Sequence, residues 1–348
     1  AVLELVAALP QDKRPELSID CGGDPLTAAL DGTPAPSVAE VAELAGRLAD
    51  YDGGVRAITV DGPALHNRGA NASWELAGSL AAGVEYLRVL VDSGLGVADA
   101  LRQISFRFAA DDDQFMTIAK LRAARQLWAR VAEVVGAPDA GAARVHAVSS
   151  LPMMTQRDPW VNMLRCTLAA FGAGIGGADT VLVRPFDVAI PGGAAGSSPG
   201  FARRIARNTQ LLLLEESHLG RVLDPAAGSW FVDDLTEELA QRAWADFQSV
   251  EAAGGFSAAT GLITERIAEV AAARAADIAH RQTPLTGINE FPNLAETALA
   301  QMDSLPGVAR YAAGFEALRD RSDAFLARTG DRPKVLLLPL GPLAEHNI

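Results

Sequence analysis

Apolar positions along the chain follow two periods. Short β-branched or apolar runs at 16–20, 55–60, 104–108, 143–149 and 180–184 have the pattern of strands, bounded by glycine, proline and charged residues. Segments at 37–50, 73–93, 115–135, 159–172 and 201–216 space their apolar residues as helices do. Ser37 with Glu40 three residues on forms a capping box, and the third helix stops before Gly136 and Pro138. The strands recur about every thirty-five to forty residues with a helix between them, which predicts an α/β fold built on a parallel sheet. An open doubly wound sheet and a (β/α)8 barrel both fit, and five units, too few to close a barrel, tilt the periodicity slightly toward the open sheet.

Beyond the fifth strand the pattern is helical at 233–251 and 256–281, and residues 294–329 read as a charged helical connector. An apolar run at 334–338, set between Pro333 and Gly341, reads as the first strand of another α/β domain. Residues 1–10 resemble the tail of an amphipathic helix with no cap before it, so the chain is expected to begin in mid-fold.

Composition narrows the classes. The chain has 348 residues, 49% of them hydrophobic, enough for one large or two smaller domains with real cores. A net charge of −13 argues against nucleic-acid binding, which needs clustered Lys and Arg. No apolar run approaches membrane-spanning length, and no basic-then-apolar leader opens the chain. Cys21 and Cys166 are too far apart for a Cys-x-x-Cys site and are expected to be buried thiols of a cytoplasmic protein.

Chemistry in a parallel α/β protein gathers where strands end. The 55–60 strand ends in a glycine-containing loop, Asp61-Gly-Pro-Ala-Leu-His-Asn-Arg-Gly69, which leads into a helix near Asn71 or Ser73. Pro63 and Ala64 stand in that loop, and neither side chain can move a proton or donate a hydrogen bond. Gly172-Ala-Gly-Ile-Gly-Gly177 precedes a strand where a dinucleotide loop must follow one, so it reads as a helix-ending turn. The loop from Gly192 to Gly200 reads as a plain connection. Asp111-Asp112-Asp113 lacks the spacing of a calcium loop and reads as a solvated helix start. His66, His146, His218, His280 and His346 form no metal-ligand spacing, and of these only His146 lies on a strand. No Gly-x-Ser-x-Gly elbow occurs. The residues alone give an α/β protein with no recognisable catalytic set.

From Asp61 to about Phe291 the chain resembles the substrate-binding barrel of the methylmalonyl-CoA mutase family. The matching stretches run from Gly69-Ala70 through Gly83-Val-Glu-Tyr86, then Ala119-Lys-Leu-Arg-Ala-Ala-Arg125 with Trp128. They continue in Arg204-Ile-Ala-Arg-Asn-Thr-Gln210, Glu215-Glu-Ser217, Asp224-Pro-Ala-Ala-Gly-Ser229 and Val250-Glu-Ala-Ala-Gly-Gly255. The resemblance implies a (β/α)8 barrel binding acyl-CoA along its axis, followed by a flavodoxin-like cobalamin domain. On that template residues 1–292 are a partial barrel of about five units, 293–332 a helical linker, and 333–348 the first strand of a degenerate cobalamin-type domain. The five strands should then lie side by side in chain order.

Departures from the family pattern carry the functional expectation. The Tyr-His of catalytic members falls on Pro63 and Ala64, with His66 two residues off register. A family glutamine falls on Val148, and a family arginine expected to help hold CoA falls on Gln103. Ser105 and His146 are kept. The cobalamin motif Asp-x-His-x-x-Gly falls on Leu343, Glu345 and Ile348, and a carboxylate is a poor substitute for imidazole under cobalt. Pro63, Ala64, Ser105, His146 and Val148 should converge at one end of the barrel axis. The resemblance thus implies a non-catalytic small subunit with no cofactor of its own. It would serve a large partner that uses adenosylcobalamin to interconvert (R)-methylmalonyl-CoA and succinyl-CoA in propionate metabolism. An active acyl-CoA mutase of altered specificity and a mutase-derived docking protein are the alternatives.

Overall fold

The computed structural model describes residues 17–51, 53–296 and 305–334, together with positions 4, 8 and 336. Five strands, β1 (Ile19–Gly23), β2 (Val55–Asp61), β3 (Ile104–Ala110), β4 (Arg144–Ser149) and β5 (Thr180–Leu182), form one sheet. All four pairings are parallel and the spatial order is the chain order. A doubly wound sheet reverses direction at a switch point, whereas a barrel is wound one way. The unreversed order therefore decides between the two architectures that periodicity left open, and the sheet is a parallel half-barrel.

β2 and β3 are buried along almost their whole length, as parallel strands covered on both faces must be, whereas the edge strands β1 and β5 are partly exposed. Several boundaries differ from their expected places, with β1 beginning at Ile19 and β3 running on to Ala110. Gly22 and Gly23, beyond the expected strand end at 20, belong to β1, where the register shifts between Asp20 and Gly23. A Cβ on Gly23 would stand 2.9 Å from the Ala57 carbonyl, so glycine lets the two backbones meet at this bulge. β5 stops at Leu182 rather than at 184. The amide of Arg184 donates to Ser149 Oγ at 2.8 Å instead of continuing the ladder.

Helices follow as α1 (Pro25–Asp31), α2 (Val38–Leu48), α3 (Gly62–His66), α4 (Ala72–Asp92), α5 (Val97–Arg102) and α6 (Gln114–Val134). Then come α7 (Val161–Ile175), α8 (Pro199–Leu211), α9 (Trp230–Ala252), α10 (Thr260–Ala279) and α11 (Ala313–Thr329). The expected capping box is present, with Ser37 and Glu40 each bonding the other's backbone amide. Short α1, α3 and α5 were not legible, because one or two turns do not establish a period. α7 runs through Gly172 and Gly174 to Ile175, so only Gly176 and Gly177 make the helix-ending turn. α4 and α6 cover the outer face of the sheet, and α9 packs across both of them. Leu80, Leu87, Phe106, Trp128, Leu239 and Phe247 meet in the single large core that results.

α11 docks onto the loop beyond β4 through charge rather than apolar area. Arg157, almost fully buried, donates to Asp320 at 2.6 Å and Asp323 at 2.8 Å. Glu316 accepts from the amides of Gln156 and Arg157 and from Arg310. The strand expected at 334–338, the helix tail at 1–10, and Leu343, Glu345 and Ile348 lie wholly or largely outside the described residues.

Candidate functional site

The inner face of the half-barrel, toward the strands' carboxyl ends, carries a cleft of about 470 Å3. Asp20, Thr59, Asp61, Ala64, Arg107, His146 and Thr180 line it. Alternation along each strand puts them there: Thr59 and Asp61 on β2, Ser105 and Arg107 on β3, and His146 on β4 are each two residues apart or in register.

Nearly every polar group on this face is engaged by a neighbour. Asp20 receives Arg56 through Nε at 2.6 Å and Nη2 at 3.0 Å. His146 Nε2 stands 3.1 Å from Asp20 Oδ2, the oxygen that also accepts from Arg56 Nη2, off the line of a hydrogen bond, while its Nδ1 lies 2.8 Å from Thr180 Oγ1. Thr59 and Ser105 share a hydrogen bond of 2.9 Å, and Ser105 donates to the Ile58 carbonyl. Asp61 accepts from Arg107 at 2.7 Å. Deeper in, Asp24 caps α1 and accepts from Tyr86 at 2.6 Å and from the Asp61 amide at 2.7 Å.

These pairings set the charges. Burial works against ionisation of Asp20, but His146, Arg56 and Ser105 outweigh it and hold the carboxyl well below its ordinary range. Asp24 goes the other way, because burial there exceeds the help of its Thr27 and Tyr86 donors. Asp61 raises the basicity of Arg107 by accepting from it. The cleft thus holds one imidazole, between a fixed carboxylate and a hydroxyl, and a floor of ion pairs joining adjacent strands.

The structure brings Ala64 and His146 to this one cleft, with Ser105 bonded into its floor. Pro63, in α3, and Val148, two residues beyond His146, are buried and do not line it. Gln103 lies at the opposite end of the sheet. Its side chain accepts from the Ala57 amide and donates to the Val55 and Leu48 carbonyls. Asp20, Arg56, Asp61 and Arg107 were not singled out from the sequence. For Asp61 and Arg107 the signal was there, since Thr59 with Asp61 and Ser105 with Arg107 are polar pairs two residues apart inside runs otherwise suited to buried strands; Arg56 stands out of phase with the pair on its own strand.

His66 faces away from the cleft. Its Nε2 is 2.7 Å from Ser150 Oγ and its Nδ1 3.6 Å from Glu75, and burial pushes the imidazole toward its neutral form. It borders a second cavity of about 890 Å3 between α4, α6, α9 and α10. Asp111 and Asp112 line the same cavity, which corrects their reading as a solvated helix start. Only Asp113 caps α6, accepting from the Met116 amide. Asp111 instead accepts from Tyr311 at 2.5 Å. Burial opposes its ionisation, but the Tyr311 donor and the Lys120 ammonium outweigh it, while burial and the neighbouring Asp111 push Asp112 up to about 8. Among the described residues no cluster of His, Cys, Asp and Glu could hold a metal ion.

A parallel half-barrel wound in one direction, with its cleft at the strands' carboxyl ends, defines an α/β protein of the TIM-like barrel class. The family model described as methylmalonyl-CoA mutase matches residues 28–329, and the chain belongs to that family. A relative from Mycobacterium bovis, named "Probable methylmalonyl-CoA mutase small subunit", is 70% identical over 347 residues, covering 100% of this chain and 56% of that protein. The Streptomyces virginiae methylmalonyl-CoA mutase small subunit is 55% identical over 335 residues, 93% of this chain and 53% of its own length. That of Propionibacterium freudenreichii subsp. shermanii is 40% identical over 352 residues, 97% of this chain and 53% of its own. The chain spans about half the length of these curated relatives.

Proposed function

We propose that the chain is part of a non-catalytic small subunit of a heterodimeric methylmalonyl-CoA mutase. In this reading a large catalytic partner carries out the adenosylcobalamin-dependent interconversion of (R)-methylmalonyl-CoA and succinyl-CoA, in the cytoplasm, as a step of propionate metabolism. The reading rests above all on the inner face of the half-barrel. Ala64 stands in the cleft wall, at the position the family resemblance assigns to the histidine of catalytic members, and nearly all the polar groups around it are spent on one another. A thioester carbonyl placed beside Ala64 would meet a methyl group, which cannot supply the acid that polarises it.

Adenosylcobalamin supplies a cobalt–carbon bond that cleaves to start radical chemistry. The donors that would hold it here, Leu343, Glu345 and Ile348 by register, do not fit. No step is assigned to it on this chain. The division into a barrel segment at 1–292, a helical linker at 293–332 and the start of a degenerate cobalamin-type domain at 333–348 belongs to the same proposal.

A second reading has one observation in its favour. His146 places an imidazole inside the cleft, between Asp20 and Thr180, and an active mutase of altered specificity would use it. Absorption spectroscopy of the lone protein with adenosylcobalamin, followed by assay with methylmalonyl-CoA, separates the two. The non-catalytic reading expects no bound chromophore and no turnover. Turnover that Glu or Gln at position 146 abolishes would establish the second reading in its place.

A further inference from the structure

The described residues expose large apolar side chains at several places, among them Trp160, Leu164 and Leu168 at the start of α7 and along it, and Val222 and Leu223 before α9. Leu182, Leu211, Leu212 and Leu214 lie at or beside β5, an edge of the sheet, where any further βα unit would join and cover them. Phe115, Trp230 and Phe231 need a different explanation. Phe115 begins α6, the crossover from β3, and β3 is the middle strand of the five. Trp230 and Phe231 begin α9, which lies outside α4 and α6. Units added at either edge of the sheet extend it away from this place.

Phe115 and Phe231 pack edge to face with centroids 5.3 Å apart, yet remain 46% and 60% exposed, and Trp230 is 90% exposed. With aromatic side chains offering roughly 150–250 Å2 each, the three leave about 400 Å2 of apolar surface in water, within the roughly 300–600 Å2 of a typical monomer's largest patch, which is often functional. The patch is held in place from below. Val232 is buried, and Arg122 of α6 pairs with Asp224 and Asp233 on either side of the aromatic turn. Exposed Asp234 and Glu238 on the next turns give it an acidic rim. A rigid aromatic centre inside a charged rim is the anatomy of an interface hot spot.

We propose that Phe115, Trp230 and Phe231 are the anchor by which this chain docks onto the large catalytic subunit, whose complementary surface is an apolar pocket rimmed by Lys and Arg. This rests on the small-subunit reading above. The acidic rim argues against a second copy as occupant, because two such patches face to face would oppose like charges. Trp230 makes a clean test, since a side chain so exposed contributes little to the fold.

The experiment measures association of the full-length small subunit with the catalytic subunit by sedimentation velocity and biolayer interferometry, using wild type, Trp230→Ala and Trp230→Phe. Trp230→Ala is expected to weaken binding about 30-fold or more with an unchanged melting temperature, and Trp230→Phe to retain most of the affinity. Wild-type affinity in Trp230→Ala overturns the anchor and leaves the small-subunit reading intact. No association even by wild type overturns that reading and with it the assigned occupant. A wild-type self-dimer that Trp230→Ala abolishes gives the patch to a second copy. Blue-shifted Trp230 emission in the lone subunit, read as the difference from Trp230→Phe, gives it to the subunit's own polypeptide. Either outcome also overturns the proposal.

Discussion

Lys120→Met tests how the half-barrel is held together behind its cleft. Lys120 Nζ lies 2.5 Å from Glu75 Oε2, and both side chains are almost wholly buried between α4 and α6. Glu75 Oε1 accepts from the Ala109 amide at 2.7 Å, so one carboxylate ties a helix to β3 and neutralises the lysine. Gly62 allows this approach, since a Cβ there would stand 3.0 Å from Glu75 Oε1 and 2.8 Å from the Arg107 carbonyl. Removing the lysine leaves a buried carboxylate without its counterion. The nearby His66, pushed toward neutrality by burial, does not replace it. Breaking such a pair costs about 3–5 kcal/mol. At about 2 °C per kcal/mol for a chain of this size, the melting temperature should fall by about 6–10 °C. Glu75→Gln combined with Lys120→Met removes both charges and keeps an acceptor for Ala109, so it should recover most of the loss. Calorimetry and urea titration of the two single variants and the double give the coupling. A single-variant cost under about 1 kcal/mol, or a double variant no better than the singles, would refute the reasoning.

Gln103→Ala should cost about 2–3 kcal/mol in urea titration, because it strands the buried Ala57 amide, while leaving the cleft unchanged. Asp112 is raised on folding, so its stabilising contribution is complete below about 3.8 and is lost as pH rises through about 8. Asp112→Asn should therefore flatten the fall in stability between those pH values, as followed by thermal melts, and leave the variant the more stable at pH 8. Ala64→His alone should restore no measurable turnover in a mutase assay. The introduced imidazole would enter a cleft floor already paired through Arg107 and Asp61, on a chain where the family resemblance puts Glu345 at the cobalt-ligand position.

Much of the fold could be read from the sequence, because five apolar runs spaced by full helices leave few ways to wind a parallel sheet. Their spatial order was not readable from periodicity, since an open sheet and a barrel use the same runs. The family resemblance supplied it, and the unreversed order of β1 to β5 agrees. Of the candidate site, Ala64 and His146 were placed correctly in one cleft, because β2 and β4 fix where their carboxyl ends lie. Asp111 and Asp112 were misjudged for a physical reason. An acidic run before a helix looks like a solvated cap until Tyr311, two hundred residues on, folds back to donate to it. Gln103 could be named as a departure from the family, but its place at the far end of the sheet depends on three backbone partners in other elements.

The central claim is that the chemistry belongs wholly to a partner. The most direct measurement is methylmalonyl-CoA turnover by the reconstituted complex when the catalytic subunit carries a substitution of its own active-site histidine. The account predicts activity from the wild-type complex, none from the small subunit alone, and none above the substituted partner's background from the mixed complex. Turnover by that mixed complex, lost again on His146→Gln, would contradict it and make this chain an enzyme in its own right.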